Sequence, residues 1–151
     1  MAQLLRDAWE LLPVATVMSK SSPLSLQLGV IQQVLRDGTA PIDPVIQPLV
    51  PSRRSPLRTA ERFAKLVQHV GHAKLWAALM TSHPNASYRE IAEATGLKLN
   101  TVKNYRAQLV GELAIHGLDD PGLAEMREFA VRCRPFLRPW VESAMERAVS
   151  P

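Results

Sequence analysis

The chain has 151 residues, of which 46% are hydrophobic and 5% aromatic, with a formal net charge of +4. That length allows one compact domain, or a small one with helical extensions, and the apolar fraction suffices for a core. A membrane-spanning protein is excluded, because no stretch approaches the roughly 20 apolar residues a span needs.

The single cysteine, Cys133, rules out an intramolecular disulfide and points to a buried thiol in a reducing compartment. Arg6, Asp7 and Glu10 interrupt the first apolar residues, so no secretory signal is expected. The expectation is a soluble, cytoplasmic protein of bacterial type, nucleoid-associated when bound to DNA. Seven glycines and the scarcity of alternating β-branched runs favour helices over sheet, hence an all-α class.

In chain order, residues 2–12 place Leu4, Leu5, Trp9, Leu11 and Leu12 at helical spacing, with Arg6, Asp7 and Glu10 opposite. Ser21, Ser22 and Pro23 introduce a second helix, Leu24 to about Arg36, which Asp37 and Gly38 close. Residues 1–37 therefore read as an N-terminal helical hairpin, either packed on the rest or serving as a dimerisation or partner-docking arm. Pro41, Pro44, Pro48, Pro51 and Pro56 make 38–56 a stiff, polyproline-like connector. At its end Arg53 and Arg54 are either a basic arm reaching a DNA backbone or minor groove, or a solvated pair.

Leu57 to about Val70 is expected as a basic amphipathic helix that Gly71 breaks or bends, followed by a helix to Met80. These two would support a motif starting at Ser87. Ser87 and Glu90 form a capping box, so a helix begins at Tyr88, and Gly96 ends it. Asn100 is expected to cap the next helix, which runs through Leu113. Ile91, Leu97 and Val102 are spaced to meet where the helices cross. Lys98, Asn100, Thr101, Lys103, Asn104 and Arg106 point outward, and all six can bond to phosphates or base edges. Residues 57–118 thus read as a helix-turn-helix domain. Residues 119–151 add two C-terminal helices, punctuated by Pro135 and Pro139 and available for dimerisation. The basic excess sits on the motif and its approach: residues 1–50 carry three basic and four acidic groups, residues 51–120 ten and six.

The run Glu90-Ile91-Ala92, Gly96 and Thr101-Val102-Lys103 resembles the DNA-binding region of LuxR/FixJ-type (GerE-like) regulators, and also region 4 of sigma factors. Asn104 continues the LuxR-like pattern, while Tyr105 stands where that family usually has histidine and Arg106 where it has an aliphatic. The resemblance spans about a fifth of the chain, from roughly Ser87 to Leu113. It implies a multi-helix domain built around a helix-turn-helix, with the second motif helix in the major groove. Partners implied are double-stranded DNA, a second copy of the chain and, on the sigma-like side, RNA polymerase.

Other chemistry is thin. His69 and His72 lie at i,i+3, but no cysteine or carboxylate pair completes a metal set. There is no G-x-S-x-G context and no glycine-rich phosphate loop, so neither enzyme nor cofactor is expected. The expectation is a sequence-specific transcriptional regulator. Lys98, Thr101 and Arg106 would hold phosphates, Asn100, Lys103 and Asn104 would meet base edges, and Arg89 would add a backbone contact. The alternatives are a polymerase-docking regulator and an adaptor whose motif is structural.

Overall fold

The structure, a computed structural model, describes residues 2–149. Among them are eight α-helices, one 3-10 turn and no strand, so the chain is all-α. It divides into two compact units, Met1–Pro56 and Leu57–Pro151. Each unit merges segments that the sequence reading separates: 1–37 with 38–56, and 57–118 with 119–151.

The first unit contains α1 (Ala2–Leu11), α2 (Leu24–Asp37) and the 3-10 turn Gln47–Leu49. The expected hairpin does not form: α1 lies against the 3-10 turn instead of α2. Its polarity is also reversed from expectation. Asp7 and Glu10 are buried while Leu4, Leu5 and Trp9 remain half-exposed. The cause lies in the proline-rich segment, whose irregular backbone offers amides and carbonyls that need partners. The Ser55 amide donates to the Glu10 carboxylate, and Arg6 Nε donates to the Leu49 carbonyl at 3.1 Å. That segment is accordingly no free spacer. Asp43 accepts from the Ser19 amide at 3.1 Å, the Val45 amide at 2.9 Å and the Ser22 hydroxyl at 2.5 Å. These bonds hold the Asp43 carboxyl below its usual range, Ser22 contributing most.

α2 starts after Pro23 and ends where Gly38 takes φ +76°, its N–H bonding Val34 O. No residue of α2 is buried.

The second unit is built around α4 (Val70–Thr81), which packs against α5 (Tyr88–Thr95), α6 (Leu99–Ile115), α7 (Leu123–Arg132) and α8 (Arg134–Val149). Ala73, Leu75, Trp76 and Leu79 have no exposed surface, so α4 is buried on several sides by apolar side chains, His72 being its buried polar residue. Removing one such side chain, as in Leu79→Ala, costs about 2–5 kcal/mol. The Trp76 indole N–H is satisfied by the Leu66 carbonyl at 2.7 Å.

Two boundaries differ from expectation. α3 (Pro56–Ala64) stops six residues before Val70, because the chain turns to bury Leu66 and Val67. His69 then caps α4, its Nδ1 accepting from the amides of Gly71 at 3.1 Å and His72 at 3.4 Å. Gly71 therefore lies inside the first turn of α4 and breaks nothing.

The C-terminal helices are not an outer extension. Met126, Ala130 and Leu137 are fully buried, and Phe136 packs on Phe63 with ring centroids 5.5 Å apart. Pro139 is accommodated within α8. Much of the apolar surface expected to serve dimerisation lies in the core of this unit, while Val131 and Met145 remain exposed.

Candidate nucleic-acid interface

The local chemistry of the motif follows its sequence closely. Ser87 Oγ accepts from the Glu90 amide at 3.3 Å, and Glu90 Oε2 accepts from the Ser87 amide at 2.7 Å, completing the capping box. The Ser87 amide and hydroxyl, with His83 on the other carboxylate oxygen, pull the Glu90 carboxyl down to about 2. α5 ends at Gly96, whose φ of +67° lets its N–H reach back to Ala92 and Glu93. The Leu97 amide bonds the same Ala92 carbonyl at 3.1 Å.

The next helix starts sooner than expected. Lys98 is its N-cap residue, with the Lys98 carbonyl accepting from Thr101 at 2.9 Å and Val102 at 3.1 Å. Asn100 is consequently not the cap. The three-residue turn Gly96–Lys98 already reverses the chain, which puts Asn100 in the first turn of α6 with its side chain exposed.

α6 separates its faces by residue type. Val102, Leu109 and Leu113 have no exposed surface, and Ile91 on α5 is equally buried, while Leu97 is half-buried. On the opposite side Asn100, Lys103, Asn104 and Ala107 follow an i, i+3, i+4, i+7 spacing, and all four are exposed. Gly111 continues the line, with nothing within 4 Å of where a Cβ would stand. The outward face thus carries amides and a cation near its start, then the small residues Ala107 and Gly111. Lys98 and Arg89 are exposed beside it, and Thr101 is half-buried. Lys98, Asn100 and Asn104 make no side-chain hydrogen bond or ion pair among the described residues. The Lys103 ammonium lies over the Tyr88 ring at 6.0 Å, which ties it to the first residue of α5.

Two sets of expected contacts are placed otherwise. Arg106 does not point freely outward: its Nε donates to the Pro121 carbonyl at 2.8 Å and its guanidinium pairs with Asp120 at 2.5 Å. At 240° around the helix from Asn100, about 100° per residue, its stem leaves from the side nearest the core, and the loop after α6 captures it. Arg54 is engaged as well. Its guanidinium lies 4.0 Å from the centroid of the Trp9 ring and donates to the Val14 carbonyl at 2.8 Å, both within the first unit. Arg53 beside it is exposed.

Behind α6 sits a support that the sequence does not announce. Tyr105 turns inward, its ring centroid 5.0 Å from His69 and 5.2 Å from His72. A Cβ on Gly71 would stand 2.5 Å from the Tyr105 hydroxyl oxygen, so glycine at 71 is what lets the ring settle there. His72 is 1% exposed, and its Nε2 meets Gln108 Oε1 at 3.2 Å. Burial, then the neighbouring His69, lower the His72 pKa, which keeps the imidazole neutral against α6. The sequence signals are the i,i+3 spacings of His69 with His72 and of Tyr105 with Gln108, neither of which says that the two pairs meet.

Among the described residues no three histidines, cysteines or carboxylates gather as a metal site, and no helix is long and apolar enough to cross a membrane. Comparison with protein-family models, with curated proteins and with solved structures gives no match.

Proposed function

We propose that this chain binds double-stranded DNA through α6 and acts as a sequence-specific transcriptional regulator. The observation that carries the reading is the face Asn100, Lys103, Asn104 and Ala107: exposed, free of acidic side chains, and set on a helix whose other side is locked into a core. In the major groove, amides of the Asn type pair with adenine edges and a lysine with guanine edges or a phosphate. Lys98, Thr101 and Arg89 flank this face and suit phosphates. Arg106 is assigned to holding the loop at Asp120. One such helix reads few base pairs, so two copies on two half-sites are expected.

The test separates readout from stability. Asn104→Ala and Lys103→Ala should each change stability by less than about 0.5 kcal/mol. Each should weaken binding to a duplex selected from a random pool by about 1–3 kcal/mol. Normal melting with unchanged binding to every duplex would remove α6 as the reader.

A second reading is favoured by one feature, a groove of about 420 Å³ between α4 and α8 lined by Ala77, Met80, Val141 and Met145 and edged by Arg134 and Arg138. An adaptor would seat an apolar peptide there. Such an adaptor would not bind random duplex, whereas a DNA binder does so with an affinity that falls sharply as salt rises.

A further inference from the structure

α2 turns its more apolar face outward. Leu24, Leu28, Ile31 and Leu35 are 69%, 51%, 51% and 82% exposed. At about 100° per residue they fall within an arc of roughly 60°, one straight stripe along the helix. The half-buried residues are instead Gln27, Val30, Gln33 and Val34. Gln27 fixes that orientation, its amide donating to the Ser22 carbonyl at 2.6 Å. No residue from Leu24 to Leu35 carries a charge. A face meant for water would carry several, and a 4-3-4 stripe of Leu and Ile is the spacing that buries against another helix.

We infer that α2 is the contact between two copies of this chain, the two helices running antiparallel about a two-fold axis near Gly29 and Val30. Reversed, the spacing 4-3-4 is unchanged, so Leu24 of one copy meets Leu35 of the other and Leu28 meets Ile31. The shape of the surface agrees. Near the C-terminal half of α2, Ala15, Met18, Val30 and Val34 line a groove of about 330 Å³ with Ile31 and Leu35. Near the N-terminal half, Leu24 stands out as a knob. Knob and groove on one surface make a self-complementary, isologous contact.

The helix dipoles select the direction. Asp37 at the end of α2 is already paired with Arg36 at 2.9 Å, so side-chain charge there does not separate the two arrangements. An antiparallel pair opposes the two dipoles, whereas a parallel pair sets like ends together. The two stripes together expose on the order of 1,000 Å², an upper bound on what the pair buries and close to the lower limit for a specific interface. The inference stands on α2 alone and is tested without DNA, so its failure and that of the DNA reading separate.

The experiment joins sedimentation with cross-linking. The wild-type chain at tens of micromolar should sediment as a dimer, and Leu28→Glu as a monomer with unchanged circular dichroism. Should Leu28→Glu disturb the fold, the cysteine pair decides. A mixture of Leu24→Cys and Leu35→Cys proteins should form a covalent dimer under mild oxidation, and neither variant should do so alone. A monomeric wild-type chain, or equal masses for a folded Leu28→Glu and wild type, overturns the inference. So does self-cross-linking by either single variant, which would mark a parallel pair.

Discussion

The two units are made of the same kind of element and held by different forces. In the first, the buried hydrophobic residues are Ala40 and Val50, and the buried polar ones are the carboxylates Asp7, Glu10 and Asp43. In the second, Phe63, Leu66, Leu75, Trp76, Leu79, Leu109, Leu113, Met126 and Leu137 have no exposed surface, and no carboxylate is buried among the described residues. The contrast shows how little helical content says about stability. A 56-residue unit whose leucines face water must order itself through charge-assisted bonds to its own backbone, and these depend on ionisation and geometry. The other unit follows the usual course, with burial non-directional and collectively large.

The largest test of this contrast strikes the apolar core. Val102 has no exposed surface, so Val102→Asp would bury an unpaired carboxylate or force it neutral, a cost of about 3–5 kcal/mol. Amide exchange should become fast across residues 57–149 while the protection around Asp43 persists. Loss of protection in both halves together would show that the two units are not separately held.

A smaller effect is expected from Gly71→Ala. The added Cβ meets the Tyr105 ring, itself packed on His69 and His72, and overpacking of this kind costs about 1–3 kcal/mol. Thermal melting should show the loss, and Tyr105→Ala in the same chain should recover part of it by vacating the space. A double variant that melts no higher than Gly71→Ala would place the strain elsewhere.

Acid sharpens the comparison, with effects read as shifts in melting temperature. His72 has a folded pKa below its ordinary 6.5, so its contribution is complete above that value and declines as pH falls below it. The charged and titratable groups facing it are His69 on its own helix and Tyr105 on α6, with Gln108 as its bonding partner. Asp43 is likewise depressed from 3.8, so its contribution survives mild acid and fades only below that value. Glu90 follows between 4.5 and about 2. Melting of the second unit should therefore begin to fall near pH 6.5, while protection of the Val45 and Ser19 amides relative to the unfolded chain persists until below pH 4. His72→Asn should flatten the first decline, and an unaltered slope would assign it to another group.

The motif was legible because its determinants are close in the chain. A capping box spans four residues, and a left-handed glycine needs only its own backbone, so Ser87, Glu90 and Gly96 do what local chemistry dictates. The exposed set of Asn100, Lys103 and Asn104 was equally readable, since helical periodicity fixed Val102 as the buried side. Arg106 was not: its partner Asp120 lies 14 residues away across a loop whose path the helix pattern does not specify. The His72–Gln108 contact spans 36 residues and joins two helices whose relative rotation is set by packing.

From the sequence alone came the all-α class and the approximate position of the helices, because propensity, caps and period act over one or two turns. Tertiary structure alone decided which apolar faces would be used. An apolar stripe at helical spacing predicts burial for α2 and for α7 alike, yet α7 has α4 to pack against and α2 is left facing water. A helix carries the pattern of its own faces and no information about the neighbour that will meet them. That depends on connections such as the Asp43 cluster, which pins the residues leading into α2 and thereby turns its leucines outward.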